Sequence, residues 1–129
     1  MSTITVTNIK ATGETASRAV SGVAAAWINF NGTGTVAARD SQNVSSLTDN
    51  GTGDYTITVA NTFDNTGYST VLCGSPVFGV ATSFSMQIAN SNSGTEIAPT
   101  PAAIRVTYGS TTSYHDVKYA TCTIHGDLA

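Results

Sequence analysis

The sequence predicts an all-β fold: an antiparallel β-sandwich or jelly-roll-like domain with a short N-terminal strand and arm. Three observations predict it. Thr and Ser supply 22 and 14 of the 129 residues, whereas Leu occurs three times and Glu and Lys twice each. Such a chain is short of helix formers and rich in residues that suit a pleated, half-buried surface. Several segments alternate apolar and hydroxyl side chains, the period-two signature of a strand. Turn signals separate them at intervals of roughly 8–12 residues, as in an antiparallel sandwich.

Residues 3–9, TITVTNI, alternate Thr with Ile or Val and read as a strand with one apolar face. The next stretch, KATGETASRAVSGVA, is small, polar and interrupted by Gly; it reads as a loop or extended arm, with room for a short helix over residues 15–20. VAAAWINF then reads as a strand covered on both faces, with Trp27 anchoring the core or a subunit seam. This divides the chain into an N-terminal strand and docking arm, 1–22, and a β-sandwich domain, 23–129.

The tetrapeptide Asn-Gly-Thr-Gly occurs twice, at 31–34 and 50–53. Both copies lie between segments of strand character, where Asn-Gly is a strong hairpin signal because both residues tolerate positive φ. A phosphate-binding loop is excluded: neither copy matches G-x-x-x-x-G-K-[ST], carries a Lys or opens a helix. After the second copy, Tyr55, Ile57 and Val59 fall on one face of a strand and Thr56 and Thr58 on the other. Asp49 and Asp54 are expected to cap this hairpin.

NTFDNTG (61–67) is a further turn cluster, followed by strands in YSTVLCG, VFGVA and FSMQIAN. NSNSGTEIAPTP is the longest polar loop, with Pro99 and Pro101 marking an exposed or edge stretch. AIRVTY is expected to pair with YHDVKYATCTIHG through a turn at 109–113, with Lys118, Ala120, Cys122 and Ile124 on one face of the last strand.

A net charge of −3 with five Lys+Arg leaves no basic stripe, which argues against a nucleic-acid partner. No apolar run approaches the roughly 18 residues of a membrane span, and MSTITVTNIK has no secretory signal pattern. The sequons at Asn31, Asn43 and Asn50 are therefore expected to stay unmodified in a cytosol. There Cys73 and Cys122 are expected to be buried thiols; a disulfide between them would close a loop of about 50 residues. Neither has the spacing of a zinc ligand.

Groups poised for catalysis are scarce. His115 and Asp116, as neighbours in a strand, would face opposite ways; His125 and Asp127 could share a face, but no Ser or Cys sits in an activating motif. Most of the six Asp lie in turns, and DNGTGD lacks the spacing of a Ca²⁺ loop. The sequence thus points to no enzyme, no cofactor, no metal and no catalytic residue.

The stretch AWINFNGTGTVAARDSQNVSSLTDNGTGDYTITVANTF (26–63) closely resembles the small β-domain of tail-fibre and other virion-surface proteins of tailed bacteriophages. The closing CTIHGD (122–127) and the opening STITVTNIKATG resemble that family's last and leading strands. Two positions depart from it: Ala38 and His125 stand where branched apolar and apolar or aromatic residues are usual. The resemblance implies a virion structural protein, a tail-fibre-like subunit or capsid decoration protein, assembled in the bacterial cytoplasm and displayed on the particle surface. It implies a homo-oligomer, a homotrimer by the habit of such fibres, and no catalytic residues. Residues 3–22 are the element expected to dock on other virion proteins or exchange between subunits. A second hypothesis is a module that binds host-surface glycan through loops 61–68 and 90–98, with Asp64, Asn65 and Tyr68 hydrogen-bonding and stacking on sugar. A third, a depolymerase, lacks its acid–base pair.

Overall fold

The computed structural model describes residues 2–9, 18–19, 23–75, 84–88, 91, 93–110 and 113–129. Strands β1 (Asn8–Ile9) and β2 (Arg18–Ala19) pair as a minimal ribbon. The remaining described strands are β3 (Ala24–Asn31), β4 (Ala37–Gln42), β5 (Val44–Gly51), β6 (Asp54–Val59), β7 (Ser69–Gly74), β8 (Phe84–Ile88), β9 (Ala103–Ser110) and β10 (Ala120–His125). They form two four-stranded antiparallel sheets, ordered β4-β3-β10-β7 and β5-β6-β9-β8. The fold is a β-sandwich, as the composition predicts.

The core comes from the two central strands of each sheet; the buried positions alternate along β3 and β10, whereas β9 is buried at every residue from 106 to 109. Ala26, Ile28 and Phe30 on β3 and Ala120, Cys122 and Ile124 on β10 face Tyr55, Ile57 and Val59 on β6 and Ile104, Val106 and Tyr108 on β9. Each fully buried Ile or Val here contributes about 1.5–3 kcal/mol of transfer free energy. Phe30, Tyr55 and Tyr108 meet at its centre, with ring centroids 5.0 to 6.2 Å apart and tilted or edge-on. Tyr108 also donates its hydroxyl proton to the Thr121 carbonyl at 3.2 Å, tying one sheet to the other.

The two Asn-Gly-Thr-Gly segments are corners that converge on one place. Gly32 N–H donates to the Val117 carbonyl at 2.9 Å, and Tyr55 Oη donates to the Gly32 carbonyl at 2.8 Å. Gly53 N–H donates to Asp116 Oδ1 at 2.8 Å, and that same carboxylate oxygen lies 3.1 Å from Tyr55 Oη. Residues 116–117 thus lock both hairpin ends. The turns differ from two-residue Asn-Gly turns. Asn31 belongs to β3 and Gly32 packs too tightly for a side chain, while the positive φ of +62° falls on Gly34. In the second corner Asn50 and Gly51 belong to β5, and the turn residues are Thr52 and Gly53, with φ of +125° at Gly51 and +66° at Gly53.

Asn43 joins the sheets, linking β4 of one to β5 of the other with a φ of +54°, a left-handed conformation that Asn tolerates better than most residues. Its Nδ2 donates to the carbonyls of Ala25 and Asn61, and its Oδ1 accepts from the backbone N–H of Asn61. Asn31 Nδ2 donates to the carbonyls of Thr33 and Thr35, and Asn50 Nδ2 to Asp54 Oδ1 and Thr56 Oγ1. All three sequon amides are committed to the fold.

Several expectations need correction. Of the two places expected for Trp27, the core is excluded: it is on the outer face of its sheet, half-buried, with Nε1–H donating to Gln42 Oε1 at 2.9 Å. The strict alternation of β3 turns Ala26 and Ile28 inward and therefore Trp27 out. Residues 3–7 do not form a strand; only Asn8–Ile9 do, and Ile4 and Val6 are 86% and 48% exposed. The helix expected over 15–20 is contradicted at Arg18–Ala19, which are strand, and otherwise lies outside the described residues. VFGVA also lies outside them.

β9 does not pair with β10. It returns through Ser110 and Ser113 to a single bridge at Gly109 and Tyr114, and the chain then crosses to the other sheet. Hence His115 and Asp116 lie in this crossover and not in a strand, and Lys118 precedes β10 and is exposed. Ala38, the departure from the family pattern on β4, is exposed as well. Asp54 is no surface cap; it is fully buried and ion-paired. Cys73 and Cys122 are free thiols, the first exposed and the second buried. Thr121 pairs with Cys73 and Cys122 with Leu72 across β10 and β7, so the two cysteines point to opposite faces.

Candidate functional site

The turn cluster after β6 packs against the chain end. Ala129 N–H donates to the Thr62 carbonyl and Asp64 N–H to the Asp127 carbonyl, at 2.9 and 3.1 Å, on either side of a bridge between Phe63 and Leu128. Phe63 drops into the core, and its N–H donates to the Pro101 carbonyl. This small ladder fixes residues 63–69 beside residues 125–127, and a cleft of about 380 Å³ opens between them. The three residues singled out as glycan contacts, Asp64, Asn65 and Tyr68, all line it, together with His125 and Asp127.

Its floor is aromatic. Phe63 and Tyr68 stack at a tilt, centroids 4.7 Å apart, and Tyr68 Oη donates to the Thr100 carbonyl at 3.0 Å. Burial holds the Tyr68 hydroxyl above its ordinary pKa, with a smaller contribution from Cys122, so it stays a neutral donor. Gly126 makes the floor possible: a Cβ there would lie 2.8 Å from Tyr68 Cβ and 3.1 Å from Phe63 Cδ1. The rim is polar. Asp64 and Asp127 are exposed and His125 is half-buried.

Asn65 does a local job. Its Nδ2 donates to Asp64 Oδ1 and its Oδ1 accepts the Gly67 N–H, both at 2.6 Å, which orders the turn and orients the Asp64 carboxylate. Chemically, the cleft offers an aromatic surface with acceptors around it, the elements that recognise a sugar ring and its hydroxyls. Among the described residues, no three of His, Cys, Asp or Glu come close enough to hold a metal ion.

Two arrangements escape sequence reading. Asp54 and Arg105 pair on neighbouring strands, where Asp54 looks like a turn residue because it follows Gly53. The pairing of Asp116 with both the Gly53 N–H and Tyr55 joins segments more than 60 residues apart. The only trace of either is a charge inside strand-like text, as in AIRVTY.

No family model, curated protein or solved structure matches the chain.

Proposed function

We propose that the chain is a structural subunit on the surface of a tailed-bacteriophage particle, tail-fibre-like or capsid-decorating, which self-assembles through its β-domain and catalyses no reaction. The observation that carries this reading is the resemblance of residues 26–63 to the virion-surface β-domain. That stretch is one structural unit here. It supplies four consecutive strands, β3 to β6, two to each sheet, and both glycine corners. Its four Gly and Asn31, Asn43 and Asn50 form corners and Tyr55 fills the core, which is what a scaffold requires. Immunogold electron microscopy of whole virions, with antibody against the chain, tests it. Label at the tail tip supports a fibre subunit, and label over the head a decoration protein. Intact virions without label would overturn the proposal.

A second reading, host-glycan binding, is favoured by one observation: Asp64, Asn65 and Tyr68 converge in a single cleft with His125 and Asp127. Binding of the purified protein to host cells or envelope polysaccharide, lost in Asp64→Ala and Asp127→Ala variants that still fold, would establish it. Absence of binding by the unsubstituted chain would remove it, and release of reducing sugar would call for an enzyme instead.

A further inference from the structure

The sandwich has two guarded edges and, among the described residues, a side that no strand covers. On β4 the edge carries Arg39 and Asp40, and its pairing with β3 is broken by a bulge at Asn29 and Phe30. On β5 the edge carries Asp49, and its register with β6 shifts at both ends. Charges and bulges are the devices that stop an edge from pairing with another chain. β7 has neither: STVLCG holds no charge and no Pro, and its register with β10 is unbroken over six residues. Among the described residues, no strand covers its other side. Next to it, β8 leaves Met86 and Ile88 at 38% and 45% exposure, although they pair with the buried Tyr108 and Val106. Half-buried Leu72 on β7 packs against the core, so all three apolar side chains stand on the strands that end the two sheets, β7 and β8.

The same chain holds a strand-forming segment without a sheet. Residues 3–7, TITVT, alternate without a break, yet Ile4 and Val6 lie in solvent. Fully extended, five residues span about 17 Å, close to the length of the β7 edge. Seated on that edge, the segment would turn Ile4 and Val6 inward over Leu72, Met86 and Ile88. Its Thr face would then continue an outer surface that already presents Thr121, Thr123 and Val71. β8 offers a shorter edge, five residues, and no Thr on its outer face.

We propose that residues 3–7 of one copy of this chain add as a fifth strand to the β7 edge of a second copy. This rests on the self-assembly in the proposed function and supplies its contact. Donor and acceptor are different surfaces of one chain, so the contact is head-to-tail and leads to a closed ring, a trimer among them, or to an open filament.

Cys73 on β7 is exposed and outward-facing, a reporter in place. Thr3→Cys, Thr5→Cys and Thr7→Cys put a thiol on the outward face of the arm; Ile4→Cys and Val6→Cys put it on the inward one. After mild oxidation, at least one Thr variant is expected to give a disulfide between chains, well above the unsubstituted level, and the Ile4 and Val6 variants none. In light scattering, Ile4→Asp with Val6→Asp is expected to reduce the assembly to the mass of one chain. If the assembly survives that double substitution and no Thr variant cross-links, strand addition is wrong and self-assembly stands. A chain that is monomeric at all concentrations overturns both, and a Thr-variant disulfide formed within one chain overturns the second copy as occupant.

Discussion

Arg105 grips Asp54 with two parallel bonds, Nε to Oδ1 and Nη2 to Oδ2, each 2.7 Å long, across the neighbouring strands β9 and β6. The two ends of this pair are not equivalent. The Asp54 side chain is wholly buried, whereas that of Arg105 keeps 23% of its surface in water. A guanidinium that loses its partner can be hydrated. A buried carboxylate cannot be; Asn50 Nδ2, at 3.3 Å, is a weak neutral partner beside it.

Removing the cation should therefore cost more than neutralising the anion. Arg105→Ala is expected to lose about 3–5 kcal/mol, the range for stranding a buried charge. Asp54→Asn, which keeps the shape and one acceptor, should lose about 1–3 kcal/mol. Urea unfolding of the two variants reads the order, and the opposite order would mean that the carboxylate reaches water after Arg105 is removed.

The corner glycines separate space from conformation. At Gly32 the backbone is ordinary, but a Cβ would sit 2.5 Å from Tyr55 Oη and 2.8 Å from the Val117 carbonyl oxygen. Gly34 has open space and a φ of +62°. Gly32→Ala should destabilise by about 2–3 kcal/mol, as overpacking does. Gly34→Ala should lose only about 1 kcal/mol, through left-handed strain. Equal losses at both sites would show that the convergence on residues 116–117 is loose.

Much of this was legible in the sequence because the information was local. Tyr55, Ile57 and Val59 declare the inner face of β6 by alternation alone, and both Gly-rich repeats declare corners. What could not be read needed knowledge of partners. β10 looks like the hairpin mate of β9, since only a turn and a few residues intervene, yet the crossover at 115–119 carries it to the other sheet. Trp27 looks like core because it is large, but the phase of β3, set by Phe30 and Ile28, turns it out. Asp64, Asn65 and Tyr68 were visible as one loop. His125 and Asp127 join them only because the chain end pairs back across Phe63 and Leu128.

The two thiols should behave as different chemical species. Cys73 is exposed, whereas burial pushes the Cys122 thiol up from 9.0 to about 12. Ionisation alone then slows Cys122 by about a thousandfold, before access is counted. A native chain should react with one equivalent of a thiol reagent, and take up the second only on unfolding. Two fast equivalents would show that β10 opens readily.

Alkaline pH should unfold this protein through the same buried groups. Burial raises Cys122, and it raises Tyr55 and Tyr108 well above their ordinary 10.0; the Asp116 carboxylate adds to the effect at Tyr55. Each shift favours the protonated form in the folded state, so the unfolded chain gives up its protons first. Below about pH 9 both states hold these protons and the groups add no pH dependence. From about pH 9 for the thiol and about pH 10 for the phenols, the unfolded state binds fewer protons, and stability falls as pH rises. The slope is about 1.4 kcal/mol per pH unit for each group inside its window. Tyr55→Phe removes one titrating hydroxyl and the hydrogen bond to Gly32. It should therefore start less stable at pH 7, by about 1 kcal/mol, and lose less between pH 10 and 11. Urea unfolding at all three pH values measures this. A variant whose loss over that interval equals that of the unsubstituted chain would mean that Tyr55 titrates alike in the folded and unfolded states.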